Sequence, residues 1–196
     1  MLRTSFAIER RESDLVVAAR GGDVGAFEDL IGPHADRLYS VVLVLLRDSG
    51  EAEDVLQETL LRAWRGIGRF RGRAMIFTWL YRIAVNESNR ALERRSRRAS
   101  AGPVDDAVAG VAAPAHHGPA RRAEQHALQQ ALGDAIAGLA PQYRAALVLR
   151  DVEGLSTREA AQITGVGEAA FKSRLHHARQ KVRAVLGDAA LLSAAS

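Results

Sequence analysis

Apolar residues recur along most of the chain at intervals of three and four positions, which is the spacing of amphipathic α-helices. The clearest run covers 52–67, where small and apolar side chains form one stripe: Ala52, Val55, Leu56, Thr59, Leu60, Ala63, Trp64 and Ile67. The strict alternation of apolar and polar positions that marks half-buried strands is not apparent, and turn dipeptides typical of hairpins are few. The pattern therefore predicts an all-α fold.

The first half of the chain predicts helices over 12–20, 24–46, 52–67 and 76–95. Asp23 is the expected N-cap of the second helix, and Pro33 within that helix is expected to kink or split it. The fourth helix is expected to turn Trp79, Leu80, Ile83, Ala84 and Ser88 inward, and to present Tyr81, Arg82, Asn86, Asn89 and Arg90 on its other side.

The second half predicts helices over 123–138 and 142–152, followed by a pair of helices around a glycine turn. Ser156 and Glu159 form an S-x-x-E capping box that opens the first helix of the pair. After the turn at 165–167, the second helix runs over 168–186 with an expected buried stripe of Phe171, Leu175, Ala178, Val182 and Val185. A short helix, a glycine turn and a longer basic helix are typical of a helix-turn-helix, with a plain helical hairpin as the alternative.

The stretch 99–122 lacks helical periodicity and holds three of the five prolines of the chain, Pro103, Pro114 and Pro119. Such a composition is typical of a flexible linker. The sequence therefore predicts two small helical domains, 1–98 and 123–196, joined by a flexible linker. A linker of this length allows the two domains to bind well-separated sites on one ligand.

Composition narrows the class of protein. The chain has 196 residues, of which 47% are hydrophobic and 26% charged, and it contains no cysteine. This excludes disulfides, thiolate zinc sites and a cysteine nucleophile. The longest purely apolar run, 41–46, is far shorter than the roughly 20 residues of a membrane span, and the N-terminus lacks the pattern of a signal peptide. We expect a cytoplasmic protein without membrane insertion and without a cofactor.

The formal net charge of +4 hides two strongly basic segments. Residues 62–98 contain eleven arginines against Glu87 and Glu93, and residues 172–183 contain five basic residues and no acid. By contrast, 12–36 and 47–61 are acidic. Two separate basic surfaces predict two contacts with a polyanion, whereas solvated helix faces are the simpler alternative.

Three helix faces carry candidate binding residues. The exposed face of the 52–67 helix places Leu61 among charged side chains, which suits the centre of a contact with a partner helix. On the 76–95 helix, aromatic and amide side chains beside arginines can bind unpaired bases, although Trp79 and Phe77 can equally be core residues. The predicted recognition helix offers Lys172, Ser173, His176 and His177 to a major groove, and Arg174, Arg179 and Arg183 to phosphates.

These segments resemble, in the right order, those of bacterial RNA polymerase sigma factors of the extracytoplasmic-function (ECF) group in the sigma-70 family. AEDVLQE at 52–58 and RAW at 62–64 resemble the polymerase-binding helix. FRG at 70–72 and TWLYRIAVN at 78–86 resemble the segment that reads the −10 promoter element. LRDVEGLS at 149–156 and FKSRL at 171–175 resemble the −35 reader.

The resemblance implies a transcription initiation factor rather than an enzyme. Such a factor binds core RNA polymerase, directs it to a promoter class and promotes strand opening. By position, the clamp helices of the largest subunit would be contacted by Asp54, Gln57, Glu58, Leu61 and Arg62, and the flap of the second-largest subunit by the C-terminal domain. The −10 strand would be contacted by Phe70, Arg71, Ala74, Trp79, Arg82, Asn86 and Arg90, and the −35 duplex by Lys172, Ser173, Arg174, His176, His177 and Arg179.

The resemblance also implies control by an anti-sigma factor held between the two domains. Several positions depart from the family pattern. Arg73 and Phe77 stand where acidic or polar residues are usual, Gly167 and Ala170 replace the common Ser and Thr, and His177 replaces Arg. Because a neutral histidine reads bases differently from arginine, we expect a promoter preference of its own.

Other functions fit the sequence less well. A helix-turn-helix repressor or activator that acts without polymerase would leave the N-terminal basic face and partner-like helix unexplained. A nucleic-acid enzyme would need a carboxylate cluster, a phosphate-binding glycine loop or an activated nucleophile, and none is apparent. The histidines His116, His117 and His126 are at most a weak metal motif. A pure interaction scaffold would leave the helix-turn-helix without a role.

Overall fold

The computed structural model describes residues 12–72, 75–99 and 129–194. Within these ranges the chain is helical and contains no strand, which confirms the all-α prediction. The N-terminal unit comprises α1 (12–20), α2 (Val24–Leu46), α3 (Ser49–Gly66), a 3-10 turn (Ile67–Arg69) and α4 (Ile76–Ala99). The C-terminal unit comprises α5 (129–137), α6 (Pro141–Leu147) with a π-helical continuation (Val148–Val152), α7 (Thr157–Thr164) and α8 (Glu168–Ala194). Most of the predicted linker lies outside the described residues.

Two helices of the N-terminal unit, α2 and α3, begin directly after the acids that cap them. The Asp23 carboxylate accepts a hydrogen bond from the backbone N–H of Ala26 at 3.0 Å, as predicted. Asp48 does the same for Glu51 at 2.8 Å, so α3 begins three residues before the predicted 52 because the cap precedes the apolar stripe. The helix α2 continues through Pro33, so the prediction of a possible split is wrong. Pro33 lies on the exposed side, where water can bond the carbonyl it leaves without a donor.

The core of this unit lies between α2, α3 and α4. The predicted stripe of α3 is buried at Ala52, Val55, Thr59 and Ala63. The hydroxyl of Thr59 donates to the Val55 carbonyl at 2.7 Å, which satisfies a polar group in an otherwise apolar interface. The other face of α3 is exposed at Asp54, Gln57, Leu61 and Arg62.

The C-terminal unit contains the predicted helix-turn-helix. Both halves of the capping box are present, since the Ser156 hydroxyl accepts from Glu159 N–H at 3.2 Å and the Glu159 carboxylate accepts from Ser156 N–H at 2.9 Å. Gly165 ends α7 in the left-handed conformation at φ 70°, which glycine adopts without strain. The prediction that Val185 is buried in the stripe of α8 is wrong: it is 45% exposed. It lines an open cavity with Ala135 and Leu139, which leaves part of its side chain uncovered.

The predicted helix over 142–152 changes its hydrogen-bond pattern midway. After Leu147 the backbone widens into π-helical turns, and the N–H of Glu153 donates to the Val148 carbonyl at 2.9 Å. A π-helical segment is uncommon and shifts the following side chains around the axis. Here it precedes Glu153, which faces the N-terminal unit. In the part of the chain that the structure describes, no helix has the length and hydrophobicity to cross a membrane.

Candidate nucleic-acid and partner interfaces

The exposed face of α3 presents the residues that the sequence predicts for polymerase contact. Asp54, Gln57 and Arg62 are exposed, and Leu61 is 48% exposed although it is a large apolar residue. Glu58 is half-buried and pairs with Arg62 one turn away, with Arg62 Nε 2.6 Å from Glu58 Oε1. An apolar side chain within a ring of charged groups is the composition of a small protein contact surface.

A buried acid lies between α3 and α4. Glu87 of α4 accepts from Arg90 Nη1 at 2.5 Å and lies 3.2 Å from Arg62 Nε. These three side chains therefore tie the predicted polymerase helix to the predicted −10 helix. Together with Arg65, Arg69 and Asn86 they line one open groove.

The loop before α4 is fixed by two aromatic rings. Phe70 is buried and packs against Trp79, with their centroids 5.2 Å apart. Gly72 adopts a positive φ of 64°, which allows the chain to turn back towards α4. Arg71 is exposed beside this aromatic pair, and Ala74 lies outside the described residues. The structure thus buries Phe70 against Trp79 and leaves Arg71 at the surface.

Farther along α4, the candidate DNA side chains share an exposed face. Arg82, Asn86 and Arg90 are exposed, whereas Trp79 is half-buried. Their spacing of four residues places them in one row along the helix. Such a row of guanidinium and amide groups can hold a phosphate backbone and bond base edges.

The N-terminal half of α8 projects from the helix-turn-helix. Lys172, Ser173, His176 and His177 are exposed, and Arg174 is half-buried. Phe171 and Leu175 fix the opposite face in the core. The side chains that the sequence predicts for the major groove therefore lie together on one accessible surface, as direct base readout requires.

Arg179 is already paired in this structure. Its Nε and Nη2 atoms lie 2.9 Å and 2.6 Å from the two carboxylate oxygens of Asp151. This hydrogen bonding raises the pKa of Arg179 further. The pair ties α8 to the π-helical segment, so a phosphate must compete with Asp151 for this arginine.

The two units pack against each other, and Arg144 crosses between them. It is 5% exposed, and its guanidinium donates to the backbone carbonyls of Leu45 in the N-terminal unit and of Ala137 and Leu139 in its own unit. Burial and the neighbouring Arg95 and Arg47 lower the pKa of Arg144 to about 10, so it stays charged at neutral pH. At the same edge, Arg47 forms an ion pair with Asp134 at 2.7 Å.

A second polar contact joins the units around Glu153. Its carboxylate accepts from the Tyr81 hydroxyl at 3.1 Å and pairs with Arg37 at 3.2 Å. Tyr81 is buried, so the prediction that it lies on the outer side of α4 is wrong, because the C-terminal unit covers it. Burial and the Glu153 charge raise the pKa of Tyr81 above its ordinary value.

The contact between α4 and α7 faces the predicted −10 residues. A cleft between the units is lined on one side by Phe70, Arg71, Trp79 and Arg82 and on the other by Gln162, Gly165 and Val166. A side chain at Gly165 would meet the Arg82 guanidinium at 3.4 Å. In this arrangement, which we call closed, α7 lies over part of the face that would contact unpaired DNA.

Sequence reasoning missed the residues of this contact. Arg144 carries a readable signal, since it is the one charged residue directly before the apolar run 145–149, and a lone arginine there is expected to serve buried carbonyls. Glu153 and Arg37 carry no such signal in the sequence. Each lies in a polar stretch, and the two residues that pair are 116 positions apart. Among the described residues, no group of three or more His, Asp or Glu side chains could hold a metal ion.

Comparisons with known proteins agree with this geometry. The family model of sigma-70 region 2 matches residues 30–98, and that of sigma-70 region 4 matches 129–182. The first range covers most of α2 to α4, and the second covers α5 to the middle of α8. The chain belongs to the sigma-70 family of transcription initiation factors.

Curated relatives narrow the group. The chain is 30% identical to RNA polymerase sigma-H factor of Pseudomonas aeruginosa, over 89% of this chain and 93% of that one. It is 34% identical to the ECF RNA polymerase sigma factor SigM of Mycobacterium tuberculosis, over 91% and 86%. It is therefore an ECF sigma factor, a promoter-specific initiation factor of RNA polymerase and not an enzyme.

Two solved structures are similar over both units. The sigma factor RpoE of Bartonella quintana, in complex with the anti-sigma factor NepR, gives a TM-score of 0.66 at 25% identity and covers 84% of this chain and 98% of its own. CnrH, in complex with the cytosolic domain of CnrY, gives 0.64 at 25% identity and covers 95% and 99%.

Proposed function

We propose that this sigma factor divides its work between three surfaces. The exposed face of α3 docks on core RNA polymerase through Asp54, Gln57, Glu58, Leu61 and Arg62. Leu61 supplies the apolar centre of the contact, and the charged residues around it set the orientation. The C-terminal unit contacts a second subunit of the polymerase, and the complex works in the cytoplasm.

The −10 strand binds along the loop before α4 and the exposed row of α4. Arg71, Arg82 and Arg90 hold the backbone, and Asn86 bonds a base edge. Phe70 and Trp79 form the aromatic wall on which an extruded base can stack. Ala74 belongs to the same loop. A site that accepts only an unpaired base favours the open duplex, so binding itself promotes strand separation.

The −35 duplex binds on α8. Lys172, Ser173, His176 and His177 meet base edges in the major groove, while Arg174 and Arg179 bond phosphates. For Arg179, the phosphate replaces Asp151 as the partner. The second DNA site therefore lies on a different unit from the first, and one chain can read both promoter elements.

The closed arrangement and the −10 function exclude each other. The cleft that holds Phe70, Arg71, Trp79 and Arg82 has α7 as its opposite wall, so the DNA strand enters only after the units separate. The recognition face of α8 is exposed in both arrangements. The sigma factor RpoE of Bartonella quintana is structurally known in complex with the anti-sigma factor NepR, and an anti-sigma factor that favours the closed arrangement would silence this chain.

The observation that carries the proposal is the exposed N-terminal half of α8 in a helix-turn-helix, on the same chain as the exposed face of α3. The direct test is assembly. The purified chain is mixed with bacterial core RNA polymerase and passed over a size-exclusion column, and the complex is then probed on genomic promoter fragments by footprinting. We expect co-elution and protection of two separate elements. Binding of DNA without polymerase would favour a helix-turn-helix repressor or activator instead.

A further inference from the structure

Glu87 is a buried carboxylate to which the proposed function gives no role. It is 4% exposed, and its Oε1 atom lies 2.5 Å from Arg90 Nη1 and 3.2 Å from Arg62 Nε. Arg90 belongs to the face proposed for the −10 strand, and Arg62 to the face proposed for polymerase. One buried acid therefore stands between the two binding faces.

The two arginines are held unequally. Arg62 Nε also lies 2.6 Å from Glu58 Oε1, so two carboxylates on two helices fix it. Arg90 reaches Glu87 from the next turn of the same helix, and its side chain is 52% exposed. A buried carboxylate needs a cation close by, and Arg62, with its Nε atom 3.2 Å from Glu87 Oε1, remains beside Glu87 when Arg90 leaves. Arg90 is therefore the partner that can leave.

The surroundings of Arg90 suit a nucleic-acid backbone. The groove between α3 and α4 is lined by Arg62, Arg65, Arg69, Asn86, Glu87 and Arg90. Carboxylate and phosphate are both oxyanions, and guanidinium groups bind both through charge-assisted hydrogen bonds. At Arg90, the Glu87 oxygen occupies the place that a phosphate oxygen would take.

We propose that Glu87 is a positioning residue, which holds Arg90 in the groove while DNA is absent and releases it to a phosphate of the non-template strand when DNA binds. Arg62 stays with Glu87 and keeps the buried charge compensated during the exchange. Since DNA must displace an internal anion, Glu87 reduces the sequence-independent part of the affinity. Base contacts then account for a larger share of promoter choice. The inference rests on the proposed role of α4 in −10 binding.

The test replaces Glu87 with its neutral isostere. Holoenzyme is reconstituted with the wild-type chain or with Glu87→Gln, and two single strands are titrated over a range of salt concentrations: oligo(dT), and the non-template strand of a promoter that the holoenzyme transcribes. The matched control is Glu93→Gln, which removes the same charge from an exposed position of α4. A fourth protein combines Glu87→Gln with Arg90→Ala.

We expect Glu87→Gln to bind oligo(dT) severalfold more tightly at each salt concentration, because Arg90 no longer has to leave a carboxylate. The slope of log affinity against log salt should stay the same, since Arg90 contacts the phosphate in both complexes. In Glu87→Gln, affinity for the promoter strand should rise by a smaller factor than affinity for oligo(dT). The ratio of the two affinities, which measures discrimination, therefore falls. Glu93→Gln should change neither affinity nor discrimination, and Arg90→Ala should cancel the gain.

An unchanged affinity for oligo(dT) in a folded Glu87→Gln protein would overturn the proposal, as would a gain that survives Arg90→Ala. If Glu87→Gln does not fold, Glu87→Asp, which is shorter by one methylene and weakens the contact with Arg90, should shift both readouts in the same direction. If α4 does not bind the −10 strand at all, the result is distinguishable, because the wild-type holoenzyme then binds neither strand at this face.

Discussion

The carboxylate of Glu153 accepts a hydrogen bond from the phenol of Tyr81, with 3.1 Å between the two oxygens. Tyr81 lies on the helix proposed to bind the −10 strand, and Glu153 follows the π-helical segment of the other unit. Arg37 completes the contact at 3.2 Å from the same carboxylate oxygen. This contact holds the closed arrangement at the point where the two DNA-reading units meet.

Removal of the Glu153 carboxylate should open the chain. Glu153→Ala leaves the buried Tyr81 hydroxyl without its acceptor, which costs about 1–3 kcal/mol, and a difference of about 1.4 kcal/mol changes a population ratio tenfold. The absence of native cysteine allows spin labels at Glu53→Cys and Gln180→Cys, both exposed and on different units. Pulsed electron resonance should show a narrow distance distribution in the parent and a broad, longer one in the variant.

The control for this experiment is Glu168→Ala, an exposed glutamate of the same unit, which should leave the distribution narrow. The charge swap that combines Arg37→Glu with Glu153→Arg should restore part of the closed population. A broad distance distribution in the parent protein would contradict a stable closed arrangement.

Arg144 should be the most sensitive charged residue of the interface. Arg144→Ala removes a donor from three backbone carbonyls, two of them in its own unit, and a hydrogen bond from a charged group contributes about 1.5–3 kcal/mol. We expect the free energy of unfolding of the intact chain, measured by urea denaturation, to fall by about 3 kcal/mol. Arg158→Ala, at an exposed position of α7, should stay within about 0.5 kcal/mol of the parent. Equal losses would argue that Arg144 makes no special contact.

The capping box of α7 gives a prediction for pH. Hydrogen bonds from Ser156 hold the pKa of Glu159 below its ordinary value of 4.5. The resulting stabilisation is present above the pKa of the unfolded chain, and it is lost as the pH falls through the lower pKa of the folded one. The melting temperature of Glu159→Gln should therefore lie below that of the parent at about pH 7, and the gap should narrow towards about pH 3.5. A gap that is the same at both pH values would contradict this role of the Glu159 carboxylate.

Polymerase binding should depend on the exposed face of α3. Asp54→Ala combined with Leu61→Ala removes a charge and the apolar centre while leaving the buried stripe intact. We expect affinity for core polymerase to fall at least tenfold with an unchanged melting temperature. Glu53→Ala, an exposed neighbour outside the proposed contact, should bind as the parent does. A normal complex with the double variant would place the docking surface elsewhere.

Duplex recognition should depend on the first half of α8. Lys172→Ala removes a candidate base or phosphate contact and should cost about 1–3 kcal/mol in binding to −35 duplex, measured by fluorescence anisotropy with holoenzyme. Binding to core polymerase should stay unchanged. Lys181→Ala is the control, since the Lys181 ammonium lies 5.8 Å from the centre of the Tyr143 ring, farther along α8. If Lys172→Ala weakens polymerase binding equally, the division of roles is wrong.

The local rules of helix formation account for what the sequence predicts well. The stripe of α3, the Asp23 cap, the capping box and the Gly165 turn each depend on residues a few positions apart, and all are confirmed. The family motifs on α3, α4 and α8 likewise follow from local sequence. The individual roles of their side chains stay predictions.

The contacts between the units could not be predicted from local pattern. Tyr81 follows the outward face of α4, but the C-terminal unit covers it there, and its hydrogen-bond partner Glu153 lies 72 positions later in the chain. Val185 continues the apolar spacing of α8, but it lines an open cavity beside α5 and is 45% exposed. Glu87 looks like one acid among many arginines, and its burial depends on how α3 and α4 pack. Each miss arises from tertiary packing that overrides a correct helical period.

In vitro transcription tests the central claim most directly. Bacterial core RNA polymerase is incubated with a library of double-stranded genomic promoter fragments, with and without the purified chain, and the transcripts are sequenced from their 5′ ends. The account predicts transcripts that appear only with the chain, start downstream of a shared pair of spaced elements, and disappear with the Asp54→Ala, Leu61→Ala double variant. A stable complex that starts no new transcripts, or no complex at all, would contradict it.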